Sequence, residues 1–236
     1  MKVRNIFITG VTGAVGHYLI EELARDERNH IYGLLRDPSK FKIDVSQYSN
    51  VTLVLGNLED IHEQSDILQK TDFLIHVATN WCGHVDANII PVREMLSLLA
   101  LKRIQKIILF STASILGRGN ILLPEARTQG TAYVQSKYEC YLDAQSSSLH
   151  DKIIHVFPTV IISGDEHHPF THIGEGLSRM RHQIRWLKYF YIDLGFHFIH
   201  TQDIARIVAH MLDHEMPEHD YVLGNDYVLY KDFIRD

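Results

Sequence analysis

The first seventeen residues constrain the fold of this chain more than any other stretch. The apolar run 3–9 (VRNIFIT) predicts a short strand, which leads directly into the glycine-rich segment 10–16 (GVTGAVG). Helical spacing of apolar residues then begins at His17. A strand, a glycine-rich turn and a helix in this order are typical of a site that binds the pyrophosphate of a dinucleotide.

Each glycine of the turn has a separate physical task. Gly10 lets the chain leave the strand in a tight turn, Gly13 presents no Cβ to an approaching phosphate, and Gly16 lets the helix pack close to the strand. The start of the helix offers free N–H groups and a positive dipole end to an anion. The spacing is GxxGxxG rather than GxGxxG, so a glycine-rich βα turn without a ligand is the alternative interpretation.

Further apolar segments alternate with helical patterns along the first two thirds of the chain. The predicted strands are residues 30–35, 51–55, 72–79 and 106–110, and the predicted helices are 60–70, 87–101 and 132–148, the last after a loop at 117–130. This alternation predicts an α/β fold, a doubly wound parallel sheet of Rossmann type. Ligands of such sheets bind at the carboxyl ends of the strands.

The end of the second predicted strand bears on the choice of dinucleotide. Arg36 holds the end position and Lys40 follows closely. A guanidinium suits a 2′-phosphate, which favours NADP over NAD. Asp37 argues the other way, since a carboxylate would accept the ribose hydroxyls, and a solvated charged loop is the alternative without a ligand.

Composition excludes several classes of protein. The net charge of −6 gives no support for nucleic-acid or membrane-surface binding, and two cysteines, Cys82 and Cys140, are too few for a disulfide framework. The N-terminus lacks a signal-peptide pattern and no run of about 18 apolar residues occurs, so we expect a cytoplasmic protein. The 16 histidines are scattered, and no metal site is expected.

Tyr133 and Lys137 stand at i and i+4 on the last predicted helix, so their side chains share one face. This YxxxK spacing is weak evidence alone, and a second instance, Tyr227 and Lys231, occurs near the C-terminus. Position separates the two. Tyr133 follows a strand that ends in hydroxyl side chains and lies on a long helix, whereas Tyr227 lies in a short apolar stretch, which we interpret as coincidence.

Taken together, the motifs resemble the extended branch of the short-chain dehydrogenase/reductase superfamily, the NAD(P)-dependent epimerases, dehydratases and reductases. The resemblance covers nearly the whole chain. The matching segments, in order, are ITGVTGAVG, GNL, HVAT, the helix position of Asn88, FSTASILG, TAYVQSK, HVFPTVIISG, FHFIHTQDIARIVAHML and YVLGNDYVLYKDF. The chain departs from the pattern at Asn57, where the branch has an acid that bonds the adenine, and around His155, where arginine is usual.

The resemblance implies that Tyr133 is the general acid/base of a hydride transfer, with the cofactor supplying the hydride. A free tyrosine has a pKa near about 10. We expect the Lys137 ammonium and the oxidised nicotinamide to lower the Tyr133 pKa, and Lys137 to hold the nicotinamide ribose. The alternative interpretation is a core tyrosine beside an exposed lysine.

The resemblance also assigns Thr112 to the catalytic Ser/Thr position, where it would bond the substrate oxygen, with Ser111 and Ser114 as close alternatives. Asn88 would support Lys137, directly or through water. The implied cofactor contacts are Gly10, Thr12, Gly13, Ala14, Val15, Gly16, Arg36, Asn57, Leu58, Val77, Ala78, Thr79, Tyr133, Lys137 and Pro158.

The resemblance divides the chain into an NAD(P)-binding Rossmann domain, residues 1–162, and a short substrate-binding region, 163–236, interleaved with later Rossmann elements. Relatives usually run several tens of residues further. We therefore expect a reduced lid, a truncated chain or a partner that completes the site. A predicted helix at 176–190 carries Arg181, Arg185 and Lys188 on one face, which would either clamp the diphosphate of a nucleotide sugar or form a solvated basic face.

Two function classes follow from the resemblance. The first is an oxidoreductase or epimerase acting on a nucleotide sugar or another small carbonyl or alcohol. A 4,6-dehydratase is disfavoured because Ala113 and Ser114, rather than an Asp-Glu pair, follow Thr112. The second is a non-catalytic NADP-binding redox sensor, which the LLRDPSK stretch resembles and which the complete Thr112, Tyr133 and Lys137 set argues against. A homodimer is expected, as is common among relatives.

Overall fold

A parallel sheet of seven strands forms the centre of the molecule. The computed structural model of the chain describes residues 3–81, 83–165, 167–171 and 195–229. The sheet contains β1 (Arg4–Thr9), β2 (Asn29–Leu35), β3 (Val51–Leu55), β4 (Phe73–His76), β5 (Lys106–Phe110), β6 (Ile153–Pro158) and, much later in the chain, β10 (Asp220–Leu223). Two small pairs lie outside it: β7 (Val160–Ile162) with β9 (Phe198–His200), and β8 (Gly195–Phe196) with β11 (Val228–Leu229).

Six α-helices are described. They are α1 (Ala14–Ala24), α2 (Ser65–Leu68), α3 (Asp86–Leu98), α4 (Pro124–Gln129), α5 (Ala132–Gln145) and α6 (Thr201–Asp213). Short 3₁₀ helices at Pro38–Lys40, Val45–Gln47, Leu58–Gln64, Ala113–Ile115, Arg118–Asn120 and His150–Lys152 join the main elements. None of the described helices is both long and apolar enough to cross a bilayer.

The order of the strands places a binding crevice at the centre of the sheet. The order is β10-β6-β5-β4-β1-β2-β3, and every pairing within it is parallel. The connections turn one way from β1 to β3 and the other way from β4 onward, so the loops after β1 and β4 diverge and leave a crevice at the carboxyl edge. The predicted doubly wound parallel sheet is confirmed.

Helices cover both faces of the sheet, which is why its central strands are continuously apolar. Along β1, Ile6 and Ile8 face the helices α1 and α6, while Phe7 faces α3, and all three are fully buried. Two ion pairs join β1 to other elements at the amino edge of the sheet: the Arg4 guanidinium pairs with Asp26 at 3.0 Å and with Asp213, at the end of α6, at 2.5 Å.

Several predicted boundaries were wrong. The fourth strand ends at His76 rather than at residue 79, because the chain leaves the sheet where it passes over the β1–α1 turn. The predicted helix 60–70 is mostly a 3₁₀ helix, Leu58–Gln64, followed by one α-turn. The predicted loop 117–130 contains α4, which Pro124 begins at a position where its missing N–H costs nothing.

Candidate functional site

The β1–α1 turn is built so tightly that side chains are excluded from two of its positions. Gly10 has φ of +78°, and a Cβ there would lie 2.6 Å from the Ala78 amide nitrogen. A Cβ on Gly16 would lie 2.2 Å from the Gly10 carbonyl oxygen. A Cβ on Gly13 would meet only the Gly10 oxygen, at 3.4 Å, so this glycine faces open space. The open side of the turn is where a pyrophosphate would approach.

The backbone of this turn, rather than its side chains, is what a ligand would meet. Gly13 is the N-cap of α1, and Thr12 and Ala14 are half-buried beside it. Val15 is buried in the core, so only its N–H group is available to an anion. The first-turn amides of a helix have no intrahelical acceptors, and they lie at the positive end of its dipole. These residues fit the pyrophosphate of a nicotinamide dinucleotide.

At the end of β2, Asp37 already accepts hydrogen bonds within the protein, whereas the Arg36 side chain is exposed. The Asp37 carboxylate accepts hydrogen bonds from the Ser39 backbone N–H at 3.0 Å and from its hydroxyl at 2.6 Å, so it caps the following 3₁₀ helix. These bonds lower the Asp37 pKa. Arg36 is exposed and makes no ion pair with a described residue. A free guanidinium beside an engaged carboxylate fits a phosphate better than ribose hydroxyls.

The other candidate cofactor residues lie along the same edge of the sheet. Asn57 lies just after β3 at the N-cap position of the Leu58–Gln64 helix, without a capping bond from its side chain, and Leu58 is half-buried. Val77, Ala78 and Thr79 follow β4 and are half-buried, and the Ala78 N–H donates to the Thr9 hydroxyl at 3.4 Å. Pro158 ends β6, further along the edge, where it is buried opposite Leu223.

Thr112, Tyr133 and Lys137 come together at the end of β5. Thr112 follows the strand and caps a 3₁₀ turn, and its hydroxyl lies close enough to the Tyr133 phenol to favour the phenolate. The Lys137 ammonium donates to the Phe110 carbonyl at 2.7 Å and lies 6.0 Å from the centre of the Tyr133 ring. Of the two alternatives to Thr112, Ser114 accepts the Thr112 hydroxyl at 3.2 Å, and the buried Ser111 hydroxyl has no hydrogen-bond partner among the described residues.

Burial sets the ionisation of these groups. It raises the pKa of Tyr133, and the nearby Thr112 hydroxyl offsets this only in part. The expected lowering of this pKa by Lys137 is therefore wrong for the protein alone, in which the ammonium is bonded to Phe110. Burial lowers the pKa of Lys137 to about 8. Burial, together with the positive charge of Lys137, lowers the pKa of His76 to about 3.

Asn88 is buried on α3, and its amide makes no direct bond to Lys137. It bonds instead to the backbone of Asn80, to the Thr79 hydroxyl and to Ser136. Asn88 and Lys137 both line a cavity of about 20 Å³. Such a cavity can hold one water, so support of Lys137 through a water stays a prediction.

One residue of the site was missed by sequence reasoning. The Trp81 indole stacks on the Tyr133 ring, with centroids 4.1 Å apart and planes 26° apart. Its place just beyond residues 77–79, which the resemblance implies as cofactor contacts, was the available signal. No local pattern shows that this loop reaches α5, because the contact depends on how α3 and α5 pack together.

Some sequence predictions fall elsewhere. The helix at 176–190 with Arg181, Arg185 and Lys188 lies outside the described residues, as does Lys231 of the second YxxxK pair. His168 pairs with Glu21 at 2.9 Å and stacks on Tyr18 with ring centroids 4.0 Å apart, so it joins residues 167–171 to α1.

Comparison with solved structures gives the same fold. The chain is similar to UDP-N-acetylglucosamine 4-epimerase from Methanobrevibacter ruminantium M1 in complex with UDP-N-acetylmuramic acid: TM-score 0.73, 18% identity, covering 100% of this chain and 81% of that one. It is similar to dTDP-glucose 4,6-dehydratase from Bacillus anthracis in complex with NAD: TM-score 0.74, 17% identity, covering 99% and 79%. It is similar to a mutant of UDP-glucuronic acid 4-epimerase from Bacillus cereus, in complex with NAD and a fluorinated UDP-sugar: TM-score 0.70, 16% identity, covering 98% and 81%.

No curated protein matches the chain. A family model does, and it spans nearly all of the sequence. The model described as NAD dependent epimerase/dehydratase family matches residues 6–224, from the first strand of the sheet to the end of the last. The matched span includes the β1–α1 turn and the cluster of Thr112, Tyr133 and Lys137. This chain belongs to the NAD-dependent epimerase/dehydratase family.

Proposed function

We propose that the protein transfers hydride between a nicotinamide dinucleotide and a carbonyl or alcohol carbon of a small substrate, with Tyr133 as general acid/base. The observation that carries the proposal is the meeting of Thr112, Tyr133 and Lys137 at the end of β5. These three side chains lie along the carboxyl edge that also carries the β1–α1 turn. Family membership supports an enzyme.

The cofactor supplies the hydride, and the protein positions the substrate and moves the proton. Thr112 donates a hydrogen bond to the substrate oxygen, and the Tyr133 hydroxyl delivers a proton to that oxygen during reduction. Because burial raises the Tyr133 pKa, the phenol is protonated at neutral pH, which suits the reductive direction. Lys137, with a pKa of about 8, is mainly cationic at neutral pH and stabilises the tyrosinate that remains.

NADP is the proposed cofactor, with NAD as the alternative. The support is the exposed Arg36 beside an Asp37 that is already engaged by Ser39. Fluorescence titration with NADPH and NADH tests this assignment. Arg36→Asp should weaken NADPH binding by about tenfold or more, as expected for loss of a charge-assisted bond, and leave NADH binding little changed. Equal loss for both cofactors would contradict a role in the 2′-phosphate contact.

The proposed substrate is a nucleotide sugar or another small carbonyl compound. Structural neighbours that hold UDP-sugars support the first choice. Reduction or epimerisation is preferred to 4,6-dehydration because Ala113 and Ser114 follow Thr112, and neither can act as the acid or base of an elimination. The segment 163–236 is proposed to supply the substrate side of the site, while α6 and β10 within it complete the Rossmann layers.

Oxidation of NADPH over a panel of UDP-sugars and small aldehydes and ketones tests the function. Tyr133→Phe should reduce substrate-dependent turnover by about 10²- to 10⁴-fold, the usual contribution of general acid catalysis. NADPH affinity should stay near the wild-type value, because the phenylalanine keeps the ring. If NADPH binds tightly but no substrate gives turnover, the result favours the alternative function, a non-catalytic NADP-binding sensor.

A homodimer through α3 and α5 is also proposed. The two helices pack side by side, and Ile90 on α3 is 56% exposed. An exposed isoleucine on a helix beside another is suited to burial against a second copy. Light scattering should give a mass of two chains for the wild type and of one chain for Ile90→Asp, with Ser46→Ala, which lies on neither helix, as a control.

A further inference from the structure

Tyr133, the proposed acid/base, is connected to Asn88 by two separate routes of non-covalent contacts. The first attachment runs through the backbone of α5. The Ser136 hydroxyl donates to the Tyr133 carbonyl oxygen at 2.7 Å, and the Asn88 side-chain amide donates to the Ser136 oxygen at 3.0 Å. Ser136 is fully buried and Asn88 nearly so, hence both bonds are shielded from water.

The second attachment runs through the loop after β4. The Asn88 Oδ1 accepts from the Asn80 N–H at 2.7 Å, and its Nδ2 donates to the Asn80 carbonyl at 3.0 Å. Both backbone groups of Asn80 are therefore held by one side chain. The next residue is Trp81, whose indole stacks on the Tyr133 ring with centroids 4.1 Å apart.

The hydrogen-bonding capacity of the Asn88 side-chain amide is completely used. Its two N–H groups go to Asn80 and Ser136, and its oxygen accepts from Asn80 and from the Thr79 hydroxyl. An amide has two N–H donors and an acceptor oxygen with two lone pairs. An aspartate at position 88 would keep the acceptors but lose both donors, and a leucine would have neither donors nor acceptors. The loop itself is compact, since a Cβ on Gly83 would lie 2.7 Å from the Asn80 side chain.

We infer that Asn88 and Trp81 act together as a clamp that sets the orientation of the Tyr133 ring. Asn88 connects the backbone of Tyr133 to the loop after β4. That loop also carries Trp81, whose indole stacks on the Tyr133 ring. Both are positioning residues: they act on Tyr133 rather than on the substrate. The inference rests on the proposed role of Tyr133 as acid/base, and it gives Asn88 a task separate from any support of Lys137.

Trp81 fluorescence tests the clamp without any substrate. The chain has two tryptophans, so Trp186→Phe leaves Trp81 as the single emitter. In that background, Asn88→Ala and Asn88→Asp should raise the acrylamide quenching constant by up to about twofold, because the indole is already 54% exposed and only the face on Tyr133 remains to be uncovered. Gly83→Ala, whose Cβ would crowd the Asn80 side chain and Ala87, should raise the quenching constant too. Arg93→Ala, on the exposed side of α3, should leave it unchanged.

Kinetics test whether the clamp matters to the reaction. Trp81→Phe can stack on Tyr133 and should retain kcat within about threefold, whereas Trp81→Leu should lower kcat by about tenfold or more through misplacement of the phenol. The KM for NADPH should not change. The alkaline limb of the kcat/KM profile should move in Trp81→Leu, because the indole contributes to the burial that raises the Tyr133 pKa. A purely structural role would lower the thermal midpoint without moving this limb.

The failure of the clamp and the failure of the proposed function give different results. An unchanged quenching constant in Asn88→Ala, with the protein folded by circular dichroism, overturns the clamp whatever the substrate is. Wild-type kcat in Trp81→Leu overturns it as well. If the wild-type protein binds NADPH but turns over no carbonyl compound, the role of Tyr133 as acid/base is refuted. The quenching constants of the Asn88 variants would still show whether Asn88 holds Trp81 against the Tyr133 ring.

Discussion

The two halves of the candidate site are built in opposite ways. The β1–α1 turn is made of backbone, with glycines at positions where a Cβ would strike main-chain atoms at 2.2 Å and 2.6 Å. The Tyr133 half is made of side chains from α3, α5 and the β4 loop, joined by hydrogen bonds and one aromatic stack. A site made of backbone tolerates almost no substitution but carries no titratable group. A site made of side chains is adjustable, and it responds to pH.

The largest effect is expected in the backbone half. In Gly16→Ala the new Cβ would lie 2.2 Å from the Gly10 oxygen and 2.5 Å from the Val11 Cα, and neither atom can move without displacing β1 or α1. We expect a loss of about 3 kcal/mol in the free energy of unfolding, measured by urea denaturation. Gly13→Ala is the matched control: it should fold normally and lose affinity for NADPH. Wild-type stability in Gly16→Ala would contradict the conclusion that the backbone half of the site tolerates almost no substitution.

A pH effect is expected in the side-chain half. Burial lowers the Lys137 pKa to about 8, whereas an unfolded lysine titrates near about 10.4. Below about pH 8 both states are protonated and the buried charge costs stability. Between the two pKa values the unfolded chain binds more protons, so the free energy of unfolding rises with pH.

Lys137→Met removes this titration. Relative to that variant, the wild type should gain on the order of 3 kcal/mol between about pH 7.5 and about pH 10.5, measured by denaturation at a series of pH values. Gly13→Ala should follow the wild-type pH dependence. A constant difference between wild type and Lys137→Met would mean that the ammonium is solvated despite its buried position.

A smaller effect is expected at Ser136, which joins Asn88 to the backbone of Tyr133. In Ser136→Ala, one buried N–H of Asn88 loses its acceptor, which should cost about 1 to 2 kcal/mol in urea denaturation. Ser46→Ala changes an exposed hydroxyl bonded to Asp44 and should cost less than about 0.5 kcal/mol. Equal losses in the two variants would show that the Asn88 network does not stabilise the fold.

The smallest effect is expected where the same two helices meet at the surface. Arg93 on α3 pairs with Asp143 on α5 at 2.6 Å, but its side chain is 59% exposed. Arg93→Ala should change the free energy of unfolding by about 0.5 kcal/mol or less, and less still at high salt. A larger loss would show that the surface pair, rather than the buried amide network, holds α3 to α5.

The same division explains how much of the molecule could be predicted from its sequence. The β1–α1 turn was predictable because its requirements are local: a strand, glycines at set intervals and a helix follow one another within the first seventeen residues. Thr112, Tyr133 and Lys137 were predictable from motifs and strand ends. Trp81 and the bonds of Asn88 were not, since they depend on the distance between elements that are far apart in sequence. The raised pKa of Tyr133 was missed for a related reason, because burial depends on packing.

The ion pair between Arg4 and Asp213 has a consequence for folding during synthesis on the ribosome. The two residues are 209 positions apart, and the helix that ends at Asp213 covers the apolar side of α1. At about 5 to 20 residues per second, a ribosome needs on the order of 10 to 40 seconds to synthesise the intervening chain. Throughout that interval the apolar face of α1 lacks its partner helix. Nascent chains of this protein are therefore expected to engage chaperones until the residues of α6 emerge.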